Sequence, residues 1–336
     1  MRAVVCRRLG PPETLEVAEL PTPSPAPGEV LVDVHGCGVN FPDTLIIEGR
    51  YQFKPELPFS PGSEIAGTVA AVGEGADGPA VGDRVMGMLG WGGYAEQVAA
   101  PASALVPVPE GMDLVTASGF TLAYATSYHA LVDRGRLRDG ETLLVLGAAG
   151  GVGLAAVQLG AALGARVIAA ASTDEKLALC REHGAAETVN YTTEDLRARL
   201  KELTSGAGAD VVYDPVGGAL SEPALRSIAW RGRFLVVGFA AGDIPRIALN
   251  LTLLKGCEIV GVFFGAFADR QPEDAARNAA ALNDLWASGR IRPVVSATYP
   301  LEDAARALED IAARRVTGKV VVTTERGRAA AGAAGG

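Results

Sequence analysis

The stretch Gly147-Ala148-Ala149-Gly150-Gly151-Val152-Gly153 decides the fold. It follows the apolar run Thr142 to Leu146 and leads directly into Val152, Ala155, Ala156, Leu159 and Leu163, a stripe with the spacing of a helix packed on a sheet. Strand, glycine turn and helix in that order make the motif informative, where a glycine pattern alone is weak. Gly150 lets a ligand approach the backbone, Gly153 lets helix and strand pack closely, and the helix N-terminus brings unpaired N–H groups and positive dipole. Together they suit the pyrophosphate of a dinucleotide, with Ala149, Gly150, Gly151 and Val152 as candidate contacts. The first glycine of the usual fingerprint is Ala148 here, which leaves the tight turn to Gly147 and its neighbours. The competing reading is a turn with a purely structural role.

Working outward toward the C-terminus, the apolar runs Arg166 to Ala171, Asp210 to Tyr213, Arg233 to Val237 and Glu258 to Phe263 read as further buried parallel strands of a doubly wound Rossmann domain. The end of the second strand decides which dinucleotide fits. An NAD enzyme places a carboxylate there, on the ribose hydroxyls. This chain has Ala171, then Ser172 and Thr173, with Lys176 one helical turn on: a hydroxyl and a cation, and no acid to repel a 2'-phosphate. NADPH is therefore favoured over NADH. The alternative makes Ser172 or Thr173 a helix cap and Lys176 a solvated residue, and a shifted register turns Asp174 toward the ribose.

Working toward the N-terminus, residues 1 to about 100 show short alternating runs such as Val30, Val32 and Val34, with further pieces at Gly67 to Val72 and Asp83 to Met88, all bounded by Gly and Pro. Pro21 to Pro27 reads as an extended connection, and a compact, partly closed β-barrel is the simplest solution. A helix begins near Asp113, whose side chain caps it. After about Phe267 come a helical stretch containing Trp286, a helix near Leu301 to Arg314 and a last strand, Lys319 to Thr324, all returning to the first domain. The expected domains are 1–122 with 267–336, and 123–266. The Ala/Gly tail after Arg326 is expected to be disordered.

The 336 residues carry a formal charge of -9 with no Lys/Arg block, which excludes a nucleic-acid surface, and the 49% hydrophobic content can fill two cores. Cys6, Cys37, Cys180 and Cys257 show no Cys-x-x-Cys spacing and read as reduced, packed thiols. Arg2, Arg7 and Arg8 precede any apolar run, and the run Gly151 to Ala165 is too short to span a bilayer. The expectation is a cytoplasmic protein with no secretory leader. His35, His129 and His183 form no metal or triad pattern, and Glu64 and Asp214 read as structural.

Several strings resemble the medium-chain dehydrogenase/reductase superfamily: Gly36 to Asp43 (G-C-G-V-N-F-P-D), Pro61 to Gly67 (P-G-S-E-I-A-G), Val81 to Val85 (V-G-D-R-V) and Gly318 to Val322 (G-K-V-V-V). The turn Ala148 to Gly153 is similar to that of its quinone oxidoreductase branch, which includes the zeta-crystallins. The resemblance covers nearly the whole chain. It implies a GroES-like β-barrel catalytic domain built from both chain ends, an inserted cofactor domain, and an active site in the cleft between them. Zinc alcohol dehydrogenases of the superfamily hold metal with a cysteine after the G-V pair and a histidine in G-H-E; here Asn40 and Ser63 stand at those positions, so no metal is expected. The closely spaced cysteine quartet of the structural zinc lobe is missing as well.

The same resemblance makes Asn40 an active-site asparagine, with a turn residue as its plainer reading. Thr126 matches a threonine near the nicotinamide, or is a helix hydroxyl bonding its own backbone. Tyr51 lines the acceptor site or packs on the surface. Lys176 and Tyr191 resemble the residues around the 2'-phosphate. Gly238, Phe239 and Phe264, which follow strand ends, and Lys319 in the last strand complete the candidate cofactor contacts; phenylalanines beside a sheet are otherwise core. Without a Lewis acid, reduction of a quinone or other α,β-unsaturated carbonyl suits the site better than alcohol oxidation. Two readings compete: an NADPH-dependent enoyl thioester reductase and a non-catalytic NADPH-binding module. The resemblance also implies a homodimer, paired through the edge strand Glu258 to Phe263.

Overall fold

Glu29–Val39 is longer than its alternating valines announce, because the strand continues through His35, Gly36, Cys37 and Gly38. It forms the spine of a seven-stranded sheet ordered Val295–Pro300, Lys319–Thr323, Glu29–Val39, Glu64–Val72, Arg84–Met88 and Leu105–Pro107, with Gln97–Pro101 also paired to the spine. All pairings are antiparallel except that of Val295–Pro300 with Lys319–Thr323. Val30, Val32, Val34, Ile65, Val69, Val85, Val320 and Val322 fill one core, so residues from both chain ends share it. The computed structural model describes residues 1–334. These fall into two compact units, Met1–Leu122 with Pro293–Gly336, and Ala123–Arg292.

In the second unit six parallel strands run in the order Glu187–Asn190, Arg166–Ala171, Thr142–Leu146, Ala209–Asp214, Ile228–Val236 and Glu258–Gly261. Counted along the chain this is the order 3-2-1-4-5-6 of a doubly wound sheet. Its third strand, Glu187–Asn190, has one aliphatic residue, Val189, and left no apolar run to read. The helix after the glycine turn, Gly151–Ala162, is buried on nearly all sides rather than along one stripe. Asp113 caps the short helix Leu114–Ala117 through a bond from Thr116 N at 2.9 Å, as its position suggests.

Two expectations need correction. The helix that carries Trp286, Pro272–Ala287, clusters with the second unit and not with the first. Asn278 on that helix donates to Asp133 at 2.7 Å, and Gln158 holds both backbone groups of Arg292, accepting from its N at 2.7 Å and donating to its O at 2.8 Å. The segment from Glu325 to Ala334 is a helix, not a disordered tail. Thr324 starts it by accepting from Gly327 N, and Thr324 Oγ1 also donates to Val34 O at 2.6 Å, while Arg326 pairs with Asp33 and Glu325 with Arg2. Alanine-rich composition favours helix once a cap and a docking edge are present. The last two residues of the expected tail, 335–336, lie outside the described residues. Among the described residues no helix is long and apolar enough to cross a membrane.

Gln158 is 4% exposed, and its Oε1 also accepts from Tyr124 Oη at 3.0 Å. Replacing Gln158 by Leu keeps the volume and removes its bonds to Tyr124 Oη, His183 Nδ1 and the partly buried backbone of Arg292, so stability should fall by roughly 1–3 kcal/mol. Urea unfolding of the variant against wild type measures this; an unchanged midpoint would contradict it.

Candidate active site

The first strand of the parallel sheet ends at Leu146, and the chain leaves it through Gly147 at φ +57°, a left-handed conformation that glycine adopts without strain. The turn is thus made one residue before Ala148, whose N–H bonds Ala170 O at 3.0 Å. Gly153 is required by contact, since a Cβ there would lie 2.2 Å from Gly147 O. Gly150 has the opposite surroundings: a Cβ would meet only Gly147 O, at 3.4 Å, so its outer face is open. Gly150 is also the N-cap of Gly151–Ala162 and offers no capping side chain, which leaves the first N–H groups of the helix for a ligand.

At the end of the second strand, Thr173 Oγ1 accepts from Lys176 N at 3.3 Å and caps the helix Asp174–Glu182. Lys176 Nζ donates to Ser172 Oγ at 3.4 Å. Asp174 accepts from Asn190, whose Nδ2 donates to its Oδ1 at 2.8 Å. Tyr191 N bonds Ala171 O at 3.2 Å and Thr192 Oγ1 bonds Ser172 O at 3.0 Å, so the second and third strand ends are fastened together. Because the sheet is entirely parallel, Ala149 to Val152, Ser172, Lys176, Tyr191, Gly238, Phe239 and Phe264 all follow carboxyl ends of strands, the edge where open α/β sheets bind ligands. Gly238 N bonds Asp214 O at 3.3 Å, and the Phe239 side chain is exposed. Phe264 lies tilted against Phe267 at 6.3 Å, and Phe267 in turn stacks on His129 at 3.8 Å.

Thr126 opens the single α-turn Thr126–Tyr128, set between wide π-turns at Thr121–Ala125 and His129–Arg134, a form of helix frequent at functional sites. Its neighbour Ser127, which sequence reasoning passed over, donates to Val152 O at 2.9 Å and lies 2.9 Å from Tyr213 Oη. Thr126 is thereby tied to the glycine turn. Asp214 spends its carboxylate on its own loop, accepting from Val216 N, Gly217 N and Ser221 Oγ.

In the first unit the structure gathers Asn40, Glu64 and Lys319. Lys319 Nζ lies 3.0 Å from Glu64 Oε2 and 2.5 Å from Asn40 Oδ1, and Asn40 Nδ2 donates to Glu64 Oε2 at 3.1 Å. Beside them Asp43 accepts from Asn40 N at 2.9 Å, Ser63 Oγ at 3.1 Å and Tyr94 Oη at 3.2 Å. Burial pushes the Asp43 carboxyl up to about 6, against the pull of those bonds and of the Lys319 cation. Burial likewise raises the Cys37 thiol well above its ordinary range. Tyr51 is half-buried, tilted 5.8 Å from Phe53, and its hydroxyl is raised by burial and by the Asp43 charge. Sequence reasoning set Glu64 aside as structural and did not consider Asp43. The separation of Glu64 from Lys319 along the chain explains why: only strand pairing brings them together. Among the described residues no group of three or more His, Cys, Asp or Glu is arranged to hold a metal ion.

A sheet unit made from both chain ends, interrupted in sequence by a doubly wound unit with this glycine turn, defines the medium-chain dehydrogenase/reductases. Residues 26–110 match the family profile described as alcohol dehydrogenase GroES-like domain, and residues 151–281 that described as zinc-binding dehydrogenase. The chain is 40% identical to the quinone oxidoreductase-like protein 2 homolog of Nematostella vectensis over 97% of its own length and 89% of that protein's. It is 39% identical to the quinone oxidoreductase of Pseudomonas aeruginosa over 93% and 96% of the two chains. The crystal structure of Escherichia coli quinone oxidoreductase complexed with NADPH superposes with a TM-score of 0.91 at 32% identity, covering 96% of this chain and all of that one. The chain belongs to the quinone oxidoreductase branch of the superfamily.

The raised Asp43 carboxyl has a signature in stability. A carboxyl whose folded pKa lies above its unfolded value stabilises fully in acid, and that contribution disappears as pH rises through about 6. Between pH 4.5 and 7.5 wild type should therefore lose about 2 kcal/mol relative to Asp43→Asn, which has no charge to bury. Urea unfolding of both proteins at the two pH values checks it; a constant difference would show that Asp43 does not titrate in this window.

Proposed function

We propose that this chain is an NADPH-dependent, zinc-independent reductase of quinones or other α,β-unsaturated carbonyl compounds. The observation that carries the reading is the corner where Lys176 Nζ meets Ser172 Oγ after the second strand, next to the open glycine turn, with the Asp174 carboxylate engaged by Asn190. The similarity to an enzyme crystallised with NADPH supports it. The bound nicotinamide supplies a hydride. The first N–H groups of Gly151–Ala162 meet the pyrophosphate, and Lys176 and Ser172 take the 2'-phosphate. Thr126, Gly238, Phe239 and Phe264 line the nucleotide. A conjugated acceptor gathers negative charge on oxygen as hydride reaches carbon, so a hydrogen-bond donor and a proton from water suffice. Tyr51 carries a phenolic O–H, which burial only makes harder to ionise, and it offers that donor.

The Asn40 and Ser63 region does not fit zinc. Ser63 Oγ donates to Asp43, both Asn40 amide hydrogens are committed, Cys37 is a buried thiol, and the Lys319 ammonium already brings a cation to the site. The edge strand Glu258–Gly261, with Ile259 and Phe263 exposed beside it, pairs two copies into a homodimer.

Lys176→Ala should raise the KM for NADPH roughly tenfold or more while that for NADH changes little, as loss of a charge-assisted phosphate contact demands. Equal changes would refute the phosphate role. Quinones, enones and enoyl thioesters offered with NADPH should show turnover on the first two classes, undiminished after dialysis against a chelator. Turnover confined to thioesters would make the chain an enoyl thioester reductase, and silence with tight NADPH binding a non-catalytic module. Sedimentation should find a dimer.

A further inference from the structure

The second unit has a cavity of about 500 Å³ where the π-turn His129–Arg134 meets the helices Phe264–Arg270 and Pro272–Ala287, beside Gly261. Gly261 ends one edge strand of the sheet, whereas Ser172, Lys176 and Tyr191 follow the two strands at the opposite edge. The cavity is therefore not the corner assigned above to the 2'-phosphate. His129 is 5% exposed, yet it lines this cavity. Phe267 stacks on its ring at 3.8 Å, and Nδ1 lies 2.8 Å from Asp133 Oδ2, which also accepts from Asn278 Nδ2 at 2.7 Å. A carboxylate only accepts, so Nδ1 carries the hydrogen and, in the neutral ring, Nε2 keeps its lone pair. Among the described residues nothing bonds that Nε2, and it is not one of the sealed, unsatisfied atoms of the interior, so it remains open to the cavity.

Cations surround this acceptor. Among the described residues Arg270 makes no ion pair or hydrogen bond, and Arg134 uses only Nε, on Gly261 O at 3.1 Å. The carboxylates of the lining are already engaged, Asp133 by His129 and Asn278, Asp274 by Arg277. Arg134, Arg270 and Arg277 against Asp133 and Asp274 leave the lining net positive. Guanidinium groups alone suit any oxyanion, but a buried acceptor among them is satisfied only by a ligand that brings its own O–H. Hydrogen phosphate does so at neutral pH, as does the singly protonated form of a phosphate monoester; sulfate, of like shape, does not. We propose that this cavity binds a phosphoryl ligand, hydrogen phosphate or a small monoester, through Arg134 and Arg270, with His129 Nε2 accepting the ligand's O–H. The volume leaves room for the organic part of a monoester. This site goes beyond the reductase reading and does not depend on it.

Isothermal titration of the whole chain at pH 7.5 and constant ionic strength, with inorganic phosphate, glycerol 3-phosphate and sulfate as probes, tests the site. Wild type should bind phosphate about 10-fold tighter than sulfate, which leaves the acceptor unpaired. Equal binding, or no binding of either phosphate probe, would overturn the proposal. A tighter hold on glycerol 3-phosphate than on phosphate assigns the site to monoesters, and the reverse to free phosphate; both support it. Arg270→Ala, at an exposed residue with no partner to lose, should weaken both phosphate probes about 10-fold or more, whereas Lys176→Ala should leave that binding in place. The converse pattern would put the ions at the Ser172 and Lys176 corner and overturn the proposal. His129→Phe keeps a ring against Phe267 and should bring phosphate down to the level of sulfate without changing sulfate. Equal weakening of both ions would make His129 merely structural and overturn its role. Should that variant fail to fold, the wild-type preference and the Arg270→Ala comparison still decide.

Discussion

A buried carboxylate needs a cation or several hydrogen-bond donors beside it, and in this chain the cation for Glu64 arrives from the far end of the sequence. Lys319 belongs to a strand that lies antiparallel to Glu29–Val39, so the pair forms only when the C-terminal strand has docked between that spine and Val295–Pro300. Removing either partner alone would leave an uncompensated charge at the centre of the first unit. The ion pair thus couples closure of the sheet to the arrangement of Asn40, Asp43 and Tyr94 beside it. Fold and site in that unit rest on the same contact.

The second unit obeys a different constraint. An all-parallel sheet sends every loop at one edge back from a strand end, so residues far apart in sequence are collected there. Ser172, Tyr191 and Gly238 reach that edge because each follows a strand end. What shapes that edge is local: the left-handed turn at Gly147, the bare backbone at Gly150 and the Asn190 bond to Asp174.

This difference explains how much could be read in advance. Residues that act through neighbours in sequence were legible: the glycine turn, the cap at Asp113, and Ser172 with Lys176 across one helical turn. The buried parallel strands announced themselves as apolar runs, except Glu187–Asn190, whose polar composition concealed an edge strand. The partnership of Asn40, Glu64 and Lys319 was not legible, because a charge looks the same in sequence whether solvent or an opposite charge surrounds it. The alanine-rich C-terminus misled for a related reason: low sequence complexity hides a docking edge that a single threonine cap makes usable.

Gln158 ties Tyr124, near the point where the chain enters the second unit, to Arg292, where it leaves. One side chain therefore gathers both ends of that segment. For the flanking sheet, such an insertion resembles a short connection more than a long loop, since the conformational freedom of the intervening residues is spent inside their own core. A segment with gathered ends can be excised, exchanged or transplanted as a cassette without redesigning the sheet that hosts it.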